Sequence, residues 1–264
     1  MDPATARPAG RPSRRAVVIG VPLLALAVVI GIVIAHDDND DNAGHGRPGF
    51  PPAPDRAYGA GAGQVHADDV DTVVLDGVSG RIRVSADDDT HAVSGTFLGA
   101  DGTGIRVRTK TATDAGRTTM TVLCADNAGA DEPCAGDLTL RLPAHTGLRL
   151  RQTSGETDLT GIGGPLDVTT ASDRLTAVGL HPANAHVRVT SGSADVGFSG
   201  APGALAVQTT SASMTLRLPT DGAGYAVTTA ATSANVDVQV PRDDSAAHHV
   251  SLQVLSGSLA VLPA

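Results

Sequence analysis

From Ala67 to the C-terminus, apolar and polar residues alternate in runs rich in Val, Thr and Leu, and these runs are broken by Gly, Ser and Asp. No stretch sustains a helical period, so the pattern predicts an all-β domain. A serine recurs at Ser154, Ser172, Ser191, Ser211, Ser233 and Ser256, at spacings of 18, 19, 20, 22 and 23 residues. Four positions before it stand Leu150, Val168, Val187, Val207, Thr229 and Leu252. Three positions after it stand Thr157, Leu175, Ala194, Met214, Val236 and Leu259. On each side the apolar positions step by two, as in a strand with one buried face, but the gap across the serine is odd. That parity change predicts a corner at which one strand turns into another with its apolar side still inward. A unit of about 20 residues cannot close a core alone, so the copies should stack at the inter-strand spacing of about 4.8 Å as a short parallel β-solenoid. An earlier copy around Ser79, with Val73, Leu75, Ile82 and Val84 in the matching places, is expected to begin the stack.

Residues 91–142 carry a different pattern. HAVSGTFLG, GIRVRTKTA and RTTMTVLC read as hairpin-linked antiparallel strands, a capping meander before repeats over about 146–264. A Greek-key sandwich is the alternative architecture, although it has no need of one serine register kept through six copies. The residue after the corner serine is Asp173, Ala212 and Ala234 in three copies. Because Ala adopts a left-handed backbone reluctantly, the corners are not expected to be uniform.

The segment DLTLRLPAHTGLRLRQTSGETDL, Asp137 to Leu159, and the VTT-S and VTSGSADV segments that follow resemble the bacterial putative-adhesin β-strand-repeat family. The resemblance covers roughly residues 70–264. It implies an extracytoplasmic, solenoid-like domain, tethered to a membrane and engaged in cell-envelope functions, and it specifies fold more than activity.

Residues 16–35, AVVIGVPLLALAVVIGIVIA, carry no charge and would span about 30 Å as a helix. Arg7, Arg11, Arg14 and Arg15 precede them and an Asp-rich stretch follows. The expectation is a single-pass cell-membrane protein with a cytoplasmic tail over 1–15, a transmembrane helix over 16–35, a disordered stalk over 36–66 and an extracellular domain over 67–264. Cleavage before His36, leaving a secreted chain, is the alternative. The only cysteines, Cys124 and Cys134, bracket ADNAGADEP and in an oxidising compartment are expected to form a structural disulfide; a redox or metal role lacks further ligands nearby.

The chain has no Trp, 2 Tyr and 3 Phe, which argues against aromatic cages, base-stacking platforms and Trp-lined sugar clefts. A net charge of -9 offers no basic face for nucleic acid. No nucleophile, paired carboxylate, metal set or cofactor motif stands in a usable context, and the adjacent His248 and His249 would point to opposite faces of a strand. The repeated serines read as corner residues bonded to nearby backbone groups. Four positions after the serine an outward column holds Asp158, Asp195 and Asp237, expected about 9–10 Å apart on alternate rungs, with Arg149, Arg151 and Arg188 on the neighbouring strand. These six residues form a candidate binding face.

The expected function is non-enzymatic, without cofactor: adhesion or envelope-associated binding to cell-wall glycan or another surface protein. Envelope-stress sensing through a separate partner and a polysaccharide-active β-helix enzyme are the rival readings. The last strand, ending near Val261, is expected to leave an open edge capable of self-association.

Overall fold

A computed structural model describes residues 63–99, 102, 104, 107–124, 134–220, 222 and 224–264. The expected tail, transmembrane helix and most of the stalk lie outside the described residues, as do residues 125–133. No described residue is helical, and no helix among them is long and apolar enough to cross a membrane.

The described chain is all-β, with thirteen strands in one mixed sheet. They are β1 (Gln64–Asp68), β2 (Thr72–Asp76), β3 (Val78–Asp87), β4 (Ala92–Leu98), β5 (Val107–Asp114), β6 (Arg117–Cys124), β7 (Cys134–Pro143), β8 (Gly147–Thr160), β9 (Leu166–Leu180), β10 (Asn184–Phe198), β11 (Ala204–Leu218), β12 (Tyr225–Val238) and β13 (His248–Pro263). β1 starts inside the stretch read as stalk.

Strands β8 to β13 each contain one serine corner that separates a first limb from a second. They lie parallel in a strict register: Ser154 opposes Ser172, Ser172 opposes Ser191, and Ser191 opposes Ser211. The alternating apolar positions of both limbs of β8 to β11 and β13 are buried in one continuous core, from Leu148, Leu150 and Leu159 through Val187 and Val196 to Leu252 and Val261, and Val227, Val236 and Val238 of β12 pack against it half-buried. Val, Thr and Leu suit these columns because branched side chains pack well on a pleated surface against their own copies.

Three features depart from the expected stack. First, the copy around Ser79 does not begin it. β2 pairs with the first limb of β8 and β3 with the second, but β6 lies parallel beyond β2, and β7 parallel beyond β3. β6 and β7 thus form a further rung, with Ala135-Gly136 opposite Ser79-Gly80. Leu75 and Ser79 are four positions apart, whereas their partners Val122 and Ala135 are thirteen apart, so the register leaves nine extra residues between β6 and β7. That insertion hid the rung from a search at constant spacing. Second, the supposed meander is a rung traversed backwards: β4 runs antiparallel to β7 on the second limb and β5 antiparallel to β6 on the first. Among the described residues β4 and β5 do not pair with each other as a hairpin; Leu98 at the end of β4 bridges Gly104, which precedes β5. Third, β13 lies between β11 and β12, so β12 and not the C-terminal strand is the open edge.

The corners supply a reason for the third departure. In spatial order from β8 the residues after the serine are Gly155, Asp173, Gly192, Ala212, Gly257 and Ala234. The three glycines have φ of 137°, 103° and 96°, and none of the other three takes a positive φ. A Cβ on Gly192 would overlap the carbonyl oxygen of Asp173, and one on Gly257 that of Ala212. Glycine and non-glycine corners therefore alternate from β8 to β12, after the consecutive glycines Gly136, Gly80 and Gly155, and setting β13 between β11 and β12 puts Gly257 between two alanines. Replacing Gly192 or Gly257 by Ala should cost about 1–3 kcal/mol or more in denaturant unfolding. Gly197→Ala, which meets only an ordinary 3.7 Å contact with the Ala177 carbonyl, should change little.

Candidate binding grooves

Each limb presents an outer face, and each face carries a groove. The larger, about 770 Å³, runs across the starts of the first limbs along the outward row Arg149, Asp167, His186, Ala206, Ser251 and Thr228, above the inward residues Leu148, Leu166, Ala185, Leu205 and Val250 of the core. Its lining is largely apolar, with Arg117, Arg149, Asp167, His186, Asp244 and His249 supplying the charged or titratable groups. Parallel register builds this row: Arg149 opposes Asp167, and Asp167 opposes His186. The Asp167 carboxylate sits between them, 3.6 Å from Arg149 Nε and 3.4 Å from His186 Nδ1, the latter an ion pair only when His186 is protonated. All three side chains are substantially exposed, so the row contributes little to stability and remains open to exchange for a ligand.

The smaller groove, about 530 Å³, lies on the second limbs and contains Arg174, Thr176, Asp195, Thr215 and Asp237. The outward column runs Arg83, Asp158, Thr176, Asp195, Thr215, Ala260, Asp237. Asp158 and Asp195 are two rungs apart as expected, but β13 intervenes before Asp237. Asp195 and Asp237 are therefore three rungs apart, about 14 Å. The carboxylates also have partners: Asp158 faces Arg83 at 3.8 Å, Asp195 pairs with Arg217, and Asp237 accepts a hydrogen bond from Gln239. Arg149, Arg151 and Arg188 lie on first limbs, across the corner from this column. Arg188 donates to Gln208 at 2.9 Å. The six residues read from sequence as one face are thus divided between two.

The corner serines form a ladder in the order Ser79, Ser154, Ser172, Ser191, Ser211, Ser256, Ser233. Ser191 donates to the Ala171 carbonyl at 2.9 Å, so in the 3.0 Å Ser172–Ser191 contact Ser172 is the donor. Ser256 likewise donates to Thr210 and accepts from Ser211. These hydroxyls bind backbone and one another, an arrangement that tightens corners and activates no nucleophile. Cys124 ends β6 and Cys134 begins β7, but their side chains lie outside the described residues. His248 Nδ1 lies 2.9 Å from the Pro202 carbonyl. Among the described residues no three His, Cys, Asp or Glu side chains come together as a metal site.

Sequence reasoning missed a buried polar cluster at the first corners. Gln152, Thr157 and Asp173 are all under 5% exposed. Gln152 Nε2 donates to the carbonyls of Gly80 and Ser154. Thr157 Oγ1 lies 2.7 Å from Asp173 Oδ2 and also against Gln152 Oε1. One hydroxyl hydrogen cannot serve two acceptors, so the set is satisfied when Asp173 is protonated and donates to Thr157, which donates to Gln152. Burial is the main cause raising the Asp173 pKa; the bonds from Thr157 and the Arg174 backbone oppose it, and the charges of Glu156 and Asp158 add to it. Asp173 Oδ1 has no partner among the described residues. The signal was present as a polar residue in an inward column, but a two-residue period cannot tell a buried Gln from an apolar neighbour.

No family model matches the chain, and no curated protein matches it. Among solved structures the chain is similar to a putative cell adhesion protein from Clostridium sporogenes, at 8% identity and a TM-score of 0.47, with 77% of this chain and 100% of that one covered. It is also similar to a putative adhesin from Bacteroides fragilis, at 12% identity and a TM-score of 0.33, with 76% and 97% covered. A putative adhesin from Parabacteroides merdae shows 10% identity and a TM-score of 0.26, with 78% and 97% covered.

A carboxyl whose folded pKa is raised stabilises the fold most below the ordinary carboxylate range, and that contribution is lost as pH rises through the folded value. Asp173→Asn should therefore gain on wild type by about 1–3 kcal/mol between acid and neutral pH. Paired denaturant melts across that range would show the difference, and parallel pH profiles would exclude it.

Proposed function

We propose that this chain is a non-enzymatic, membrane-anchored cell-surface module acting in adhesion or envelope-associated binding. On this reading the parallel rungs form a short β-solenoid, and its first-limb groove holds an extended ligand, either a cell-wall glycan or a segment of another surface protein. The observation that carries the reading is the groove's course across successive rungs. Such a groove offers a repeated row of contacts to a chain-like ligand, which a compact catalytic pocket would not do. With no Phe, Tyr or Trp among the residues lining it, the groove would hold a sugar chain chiefly by hydrogen bonds and apolar contact.

Ala206 lies in this groove on an outward position of β11. Replacing it by Trp should block the groove with little disturbance of the core and lower binding of the full chain to isolated cell-envelope material at least about tenfold, the effect of about 1.4 kcal/mol. The triple substitution Asp158→Asn, Asp195→Asn and Asp237→Asn, on the other limb, should leave that binding intact. Loss only in the triple variant would transfer the role to the second groove, and no binding by wild type would remove the reading.

A further inference from the structure

The open edge at β12 has an unusual self-complementarity. β12 pairs with β13 on one side, and on the other the following loop protects only its start, where Tyr225 donates to the Pro241 carbonyl and Arg242 bridges Tyr225. From Val227 to Val238 no other described strand pairs with this edge. Natural edges of such length are usually guarded by lysine, proline or a bulge. This one has none of them and only one charge, Asp237. The core also stops short here. The inward positions Val227, Val236 and Val238 are only half-buried, and Thr229 and Ala231 are exposed, while Val250, Leu252, Val254, Leu259 and Val261 on β13 are at most 1% exposed.

We propose that β12 pairs with β12 of a second copy, antiparallel about a two-fold axis between Thr232 and Ser233. In the first limb the inward residues are odd-numbered, Val227, Thr229 and Ala231; past the corner they are even-numbered, Ala234, Val236 and Val238. An antiparallel pairing centred between Thr232 and Ser233 sets Val227 against Val238 of the second copy, Thr229 against Val236, and Ala231 against Ala234. It is the one register in which inward residues face inward residues throughout and the two bends coincide, so the parity change that makes the corner also makes the edge its own partner. The outward pairs are Thr228 with Asp237 and Ala230 with Asn235, so no like charges meet. Both cores become closed and the sheet continues through the dimer, with the same patch used on both sides as two-fold symmetry requires. The inference stands on the edge alone and does not depend on what the groove binds.

The test uses the full chain in detergent. Ala230→Cys and Asn235→Cys variants, mixed under reducing conditions and then oxidised, should give a reducible crosslinked dimer far above the level either variant gives alone. Thr229→Lys with Ala231→Lys, both at exposed positions, should abolish that crosslink and halve any dimeric mass attributable to this edge in sedimentation, with the circular dichroism spectrum unchanged. Equal crosslinking in the single and mixed samples, or a crosslink that survives the two lysines, would overturn the proposal. So would a wild type that stays monomeric at micromolar concentration.

Discussion

Everything in this fold depends on the close approach of successive corners. Strands in a sheet lie about 4.8 Å apart whatever their sequence, and a bent strand must keep that distance on both limbs and through the bend. At the bend the backbone of one rung runs against the carbonyl of the next, and a Cβ on alternate rungs would occupy the space of that oxygen. Glycines at positive φ relieve the contact, on adjacent rungs at Gly80 and Gly155 and on every second rung from β8 to β12, where the intervening rungs turn a small or hydrogen-bonded side chain inward instead, as Ala212 and Asp173 do. The serine ladder then ties neighbouring corners by hydroxyl-to-backbone bonds. Column packing of Val and Leu supplies the bulk of the stabilisation, but it can do so only when the corners permit the spacing.

That constraint makes sense of the ends of the stack. At the C-terminal side the chain lays β12 first and then returns to place β13 inside it, and at the N-terminal side it lays the reversed pair β4 and β5 before fitting β6 and β7 between them and β2 and β3. In both places a rung nearer the edge precedes its inner neighbour in the chain, and β1 pairs beyond β4 on the N-terminal side. At the C-terminal end the cost is a longer connection, 239–247, and closure entropy grows only slowly with its length. At the C-terminal end this exchange keeps glycine corners from falling out of phase.

The rungs themselves were legible because each is specified locally: a two-residue alternation, an odd jump at a serine, and a second alternation. The order in which they stack was not. Spatial order depends on which corners can lie against one another, a relation between residues such as Gly257 and Ala234 that sequence spacing does not encode. The same limit explains the candidate site. Asp158, Asp195 and Asp237 do share an outward column, but the distance from Asp195 to Asp237 changes once β13 intervenes. Arg149 and Asp195 each point outward from different limbs, and alternation alone assigns inside and outside without saying which outside. The Asp167 row in the larger groove could have been read by aligning Arg149, Asp167 and His186 five positions before their serines.

The described aromatic side chains follow from the same geometry. Phe97 lies in the reversed strand β4, Phe198 at the end of the second limb of β10, and Tyr225 at the start of β12, where its hydroxyl donates to the Pro219 carbonyl at 2.7 Å. All three are buried; Phe198 and Tyr225 stand outside the columns flanking the serine, and Phe97 lies at the end of one of them, against Leu138 in the row that runs through Ile82 and Thr157. A column stacked on its own copies at strand spacing has room for Val, Leu, Ala or Met, whereas a ring needs the irregular space at a rung's margin. The scarcity of aromatics is thus a property of repetition. It leaves the outer faces as rows of groups at fixed intervals, so under the proposed binding role a ligand would be selected by spacing along the stack rather than by any one deep pocket.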